Sequence, residues 1–133
     1  MSCCTGNKLN KYFIMLIKNI PVLRIFDVAK ANEFYIDWLG FTIEWQHQFE
    51  FGAPLYMSIK KDSIQIHLSE HYGEATPGSK VFIICDQIEK YYQELQSRPY
   101  KYYRPSLEKT FYNSVCLVVT DPFGNRLSFN EYI

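Results

Sequence analysis

Thr120-Asp121-Pro122-Phe123-Gly124-Asn125-Arg126-Leu127-Ser128-Phe129-Asn130-Glu131 closes the chain and reads as a hairpin. The apolar run over 115–119 stops at Asp121-Pro122, where proline presets φ. Gly124-Asn125 then tolerate the left-handed conformations that a tight return needs. Beyond the turn the polarity alternates, with Leu127 and Phe129 on one face and Arg126, Ser128 and Asn130 on the other. The first face is core; the second meets water or a ligand.

Working outward, the same order of elements occurs twice. Residues 19–26 form an apolar strand with Pro21 near its start, where the missing donor matters least. Asp27 opens a helix over 28–39, with Val28, Ala31, Tyr35, Trp38 and Leu39 at helical spacing and Gly40 as the stop. Residues 41–51 alternate, and in an unbulged strand Phe41, Ile43, Trp45, His47, Phe49 and Phe51 share one face. Trp45 and Phe41 are then expected in the packing before either touches a ligand. Two further alternating runs follow: Leu55, Met57 and Ile59 oppose Tyr56, Ser58 and Lys60, then Ile64, Ile66 and Leu68 oppose Gln65, His67 and Ser69.

After a polar loop over 70–79 the order restarts. Residues 80–85 are an apolar strand, and Asp86 with Glu89 reads as a capping box for a helix with Ile88, Tyr91, Tyr92 and Leu95 on its apolar stripe. Arg98-Pro99 ends that helix. Short β structure is expected around 101–104, then over 111–120, then in the closing hairpin. The division that follows is a tail or extra strand over 1–17, a first βαβββ module over 18–72, a linker over 73–79, and a second βαβββ module over 80–133.

With 133 residues the chain can bury a core without staples, and 14 basic against 14 acidic side chains give no electrostatic case for nucleic acid. The apolar run at 12–17 is too short to span a membrane. Cys3 and Cys4 lie in the polar tail, whereas Cys85 and Cys116 sit inside apolar runs as small core residues. Without a Cys-x-x-Cys pair, a reducing cytoplasm is the simplest setting. The aromatic content, 17%, suits strands and also clefts for flat ligands.

Three motifs in order resemble the vicinal oxygen chelate superfamily, which holds glyoxalases, extradiol dioxygenases and bleomycin-resistance proteins. They are Pro21-Val22-Leu23-Arg24-Ile25-Phe26-Asp27-Val28-Ala29-Lys30-Ala31 with Phe34-Tyr35 and Leu39-Gly40-Phe41; His67-Leu68-Ser69-Glu70-His71 with Pro77-Gly78-Ser79; and Asp121-Pro122-Phe123-Gly124-Asn125-Arg126 with Phe129-Asn130-Glu131. The resemblance is to the bleomycin-resistance-like branch. It implies an α+β glyoxalase/bleomycin resistance fold of two tandem modules, with curved mixed sheets and helices on the convex side. It further implies a homodimer whose subunits pair modules across the two-fold to form two clefts.

Enzymes of the superfamily hold a divalent ion at four strand positions, which correspond here to Ile20, His67, Lys80 and Ser128. Only His67 ligates well and Lys80 is a cation, so no metal and no cofactor is expected, and no catalytic residue is assigned. A cleft lined by Phe49, Phe51, Tyr56, His67, Glu70, Phe82, Phe111, Tyr112, Arg126 and Ser128 is expected to hold a flat small molecule without turnover. Phe111-Tyr112-Asn113 stands where the branch carries a Pro-Trp-Gly segment, so Tyr112 takes the place of its stacking ring. Two other readings of these residues are a divergent metal-dependent lyase or dioxygenase built around His67, and a ligand-free scaffold whose rings only fill core and interface.

Overall fold

A computed structural model describes residues 13–100 and 105–133. The tail residues 1–12, with Cys3 and Cys4, and the β structure expected at 101–104 lie outside the described residues. Residues 13–17 form no strand, and their side chains are exposed.

Two four-stranded sheets account for the two halves. The first contains β1 (Val22–Arg24), β2 (Thr42–Gln48), β3 (Leu55–Lys61) and β4 (Ile64–Ser69), in the order β1-β4-β3-β2. The second contains β5 (Lys80–Ile84), β6 (Leu107–Lys109), β7 (Ser114–Thr120) and β8 (Arg126–Tyr132), in the order β5-β8-β7-β6. In each sheet the first strand runs parallel to the last and the other pairs are antiparallel, so the βαβββ pattern is repeated in tandem.

One face of each sheet packs against the helices in a single core. Met57, Ile59, Ile66 and Leu68 of the first sheet and Ile83, Leu117, Val119, Leu127 and Phe129 of the second are buried there with Phe34, Trp38 and Leu95. The period-two pattern of β3, β4 and β8 puts these side chains together, as the alternation requires. The opposite face of each sheet, called the open face below, carries the polar and aromatic alternates.

The first helix begins as expected, with the Lys30 amide donating to Asp27 Oδ1 at 3.0 Å. It is α-helical only over α1 (Val28–Ala31) and continues as a π-helical segment, Asn32–Trp38. The wider turn, marked by the Leu39 amide donating to the Phe34 carbonyl at 2.9 Å, lets Phe34, Tyr35 and Trp38 all face the core. Gly40, at φ +91°, ends it in a conformation that suits glycine.

The second helix, α2 (Ile88–Ser97), corrects the expected capping box. Gln87 is the N-cap, at φ +52°, and makes no side-chain cap bond. Instead the Ile88 amide donates to Glu131 Oε1 at 2.9 Å, so a carboxylate on β8 closes the helix N-terminus.

The closing hairpin ties the halves together. Asp121 Oδ1 accepts from the amides of Phe123 and Asn125, each at 2.8 Å, and Oδ2 accepts from the Tyr35 hydroxyl at 2.6 Å. Asn125 Nδ2 donates to Oδ2 at 3.0 Å and to the Arg24 carbonyl at 2.8 Å, which links the turn to β1. Across the helices, Trp38 Nε1 donates to the Leu95 carbonyl at 3.1 Å and Arg98 Nη1 to the Trp38 carbonyl at 2.7 Å.

Candidate functional site

Two clusters of aromatic side chains stand on the open faces, one on each sheet. On the first sheet the register shifts between Ile43 and Trp45: Ile43 pairs with Ile59, and Trp45 with Ser58. The extra residue, Glu44, is a β-bulge, and it reverses the side to which everything after it points. Phe41 is buried in the core as expected, but Trp45 is not; it stands 46% exposed on the open face.

Trp45 stacks on Tyr56, with ring centroids 5.9 Å apart and planes 10° from parallel, and lies edge-on to the His67 imidazole at 5.3 Å. The Tyr56 hydroxyl is 2.8 Å from His67 Nδ1, whereas His67 Nε2 is buried with no hydrogen-bond partner among the described residues. Leaving such an atom unpaired costs about 1–3 kcal/mol. Burial raises the Tyr56 pKa, helped by the Glu74 carboxylate, so the phenol keeps its proton at neutral pH.

Beside the rings is a polar floor. Ser58 Oγ donates to Glu44 Oε1 at 2.8 Å, and Gln65 Nε2 reaches the same oxygen at 2.9 Å and Ser58 Oγ at 3.0 Å. Lys60 Nζ, 3.9 Å from Glu44, adds a solvent-screened ion pair at its outer edge.

The open face of the second sheet carries Phe82, Tyr112 and Tyr132. Tyr112 lies 6.3 Å from the Phe82 ring and 6.5 Å from that of Tyr132. The Tyr112 hydroxyl donates to Asn130 Oδ1 at 3.2 Å, and Ser114 Oγ donates to the same oxygen at 3.0 Å. Asn130 Nδ2 in turn donates to Ser128 Oγ at 3.0 Å. The polar face of β8 therefore divides: Arg126 is exposed, whereas Ser128 and Asn130 are buried beneath the rings as a hydrogen-bonded layer. A groove of about 450 Å³ bordered by Ile20, Gln65, Lys80 and Phe82 runs between the two sheets.

The expected site residues distribute unevenly. Tyr56 and His67 come together on the first sheet, and Phe82, Tyr112 and Ser128 on the second. Phe49 and Phe51 follow the end of β2 and are almost wholly exposed, as is Phe111, whose ring meets Tyr112 at 5.1 Å. Glu70 holds the fold, since its Oε1 accepts from the Leu55 amide at 2.9 Å. Trp45, expected in the packing, stands instead at the site. The bulge that brings it there has no glycine or proline to announce it.

Of the four positions that resemblance assigns to a divalent ion, Ile20 has no donor atom and Lys80 is a cation. Ser128 Oγ is engaged by Asn130, and His67, its Nδ1 engaged by Tyr56, offers Nε2 alone. Among the described residues no three His, Cys, Asp or Glu side chains converge. These donors do not fit a divalent cation. Cys85 and Cys116 are free thiols, and burial raises both pKa values, the reverse of what activates a nucleophile.

A second crevice, of about 630 Å³, separates the β3–β4 turn from α2. Its lining mixes Lys61, Asp62, Asp86, Lys90 and Glu94 around Tyr91 and Phe129, away from the exposed rings of the open faces.

Residues 7–133 match the family model described as glyoxalase superfamily protein. The chain belongs to the glyoxalase superfamily. No curated protein matches its sequence at a significant level. Among solved structures, a bleomycin-binding protein complexed with bleomycin is similar at a TM-score of 0.67 and 18% identity, covering 89% of this chain and 100% of that one. A bleomycin resistance determinant encoded on the transposon Tn5 gives 0.67 and 18%, covering 88% and 98%. TnmS3, an antibiotic binding protein from a Streptomyces species, gives 0.62 and 18%, covering 90% and 100%. At these identities the likeness is one of fold: the glyoxalase/bleomycin resistance arrangement of two βαβββ modules. No helix among the described residues is long and apolar enough to cross a membrane.

Proposed function

We propose that this glyoxalase-superfamily protein binds a flat aromatic small molecule without turnover, as a homodimer in which the open face of one module closes on that of the other module from a second copy. The observation that carries this reading is the parallel Trp45–Tyr56 stack, half exposed above a hydrogen-bonded floor. Exposed rings side by side present a surface that a planar guest extends, and the floor offers polar atoms at its edge.

The second open face, with Phe82 and Tyr112 over the Asn130 layer, supplies a matching wall. Exposed Ile84, Phe82 and Tyr132 on that face favour coverage by a second copy over solvent. Sequestration is preferred to catalysis because the donor set suits no cation and neither described thiol is activated. The described cysteines are free, which agrees with a reducing, cytoplasmic setting. Drug-like glycopeptides of the bleomycin type are one candidate guest, since the fold neighbours include proteins that bind them.

The test is a titration with bleomycin followed by tryptophan fluorescence, with Trp45→Phe as the control. Trp38 is buried, so an open-face guest acts on Trp45. Saturable quenching at one guest per subunit, absent in the control, is expected. Saturable quenching that persists in Trp45→Phe would contradict the site.

A further inference from the structure

His67 stands where enzymes of the superfamily place a metal ligand, yet its surroundings here dictate different chemistry. Its Nδ1 lies 2.8 Å from the Tyr56 hydroxyl. When the hydroxyl donates to Nδ1, the neutral imidazole carries its hydrogen on Nε2. Nε2 is buried and has no hydrogen-bond partner among the described residues.

We propose that His67 is the specificity-determining residue of the cleft, donating its Nε2–H to an acceptor oxygen or nitrogen on the edge of a flat aromatic guest. The inference rests on the open-face binding reading and adds a required feature of the guest: a carbonyl or ring-nitrogen acceptor in the plane of its rings. Access comes from Trp45. Its ring lies edge-on to the imidazole at 5.3 Å and sits on β2, an edge strand whose seven residues are all exposed, so it can turn outward without opening the core. A guest entering there replaces the Trp45 edge against His67 and gives the orphaned donor its acceptor, which an all-carbon ring system of the same shape cannot do.

Anthraquinone-2-sulfonate and anthracene-2-sulfonate make a matched pair of probes, alike in ring count and charge and differing in the two edge carbonyls. The wild-type protein is expected to bind the quinone roughly tenfold more tightly. His67→Phe, which keeps a flat ring at the position, is expected to bind both probes equally, and Tyr56→Phe to narrow the preference by releasing the tautomer. Equal binding of the two probes by the wild type, or a preference that survives His67→Phe, overturns the role of His67 while leaving the cleft in place. Binding of neither probe removes the cleft and this inference together. Independently of any guest, long-range ¹H–¹⁵N spectra of the free protein are expected to show the hydrogen on His67 Nε2, and a hydrogen on Nδ1 overturns the assignment.

Discussion

The Tyr35 hydroxyl donates to Asp121 Oδ2 at 2.6 Å, joining the first helix to the final turn across 86 positions of sequence. Both side chains are buried, and Asp121 also holds two turn amides and the Asn125 side chain. The aspartate that begins as a turn former in the sequence is the point at which the two modules are locked.

Removing that carboxylate leaves a phenol, two amides and a carboxamide short of an acceptor in a buried site. Asp121→Ala is expected to lose about 3 kcal/mol or more of stability, and Tyr35→Phe about 1–2 kcal/mol, because the remaining Asp121 bonds survive the second change. Urea unfolding followed by circular dichroism measures both.

The same pair sets an alkaline limit. Burial, then the Asp121 charge, raises the Tyr35 pKa well above the ordinary 10.0, and burial likewise raises that of Tyr91. The folded state therefore holds these phenolic protons more tightly than the unfolded chain does. Their contribution is fully present below the ordinary tyrosine pKa and is lost as pH climbs above it toward the folded values. Melting temperature is expected to fall more steeply from pH 9 to pH 11 in the wild type than in Tyr35→Phe.

Glu131, and not Asp86, closes the N-terminus of α2. Glu131→Ala is expected to destabilise by about 1 kcal/mol and Asp86→Ala by less than about half of that. Thermal melts of the two variants decide between the caps; an equal or larger effect at Asp86 would falsify the assignment.

Trp45 is held by an exposed stack and not by the core, so Trp45→Ala is expected to change stability by less than about 1 kcal/mol. Guest binding is expected to weaken at least roughly tenfold, through loss of the stacking surface. Denaturant midpoints and equilibrium dialysis with bleomycin separate the two effects.

The sequence carried the fold because its decisive signals are local. Asp27 caps the helix three residues on, Gly124 permits the turn, and the alternation of Met57, Ile59, Ile66 and Leu68 assigns the core face without knowledge of any partner. What escaped it depends on a single inserted residue or on distant contacts. The bulge at Glu44 moves Trp45 from the expected core face to the open face, and nothing in the residue types around it marks the slip. The Glu131 cap joins positions 43 apart, beyond the reach of a capping-box pattern. The first helix widens into a π-helical segment because three neighbouring aromatic rings enter the core together, a demand that only the packed structure makes. Tyr56 and His67 follow from strand phase and Tyr112 from the motif it stands in, whereas the pairing of Tyr56 with His67 Nδ1 required coordinates.

Side-chain chemical-shift mapping during a bleomycin titration tests the central claim most directly. The account predicts saturable shifts at Trp45, Tyr56 and His67 and at Phe82 and Tyr112 together, at one guest per subunit. Shifts confined to Lys61, Lys90 and Tyr91 in the crevice beside α2, or saturable binding that leaves Trp45 and Tyr112 untouched, would contradict it.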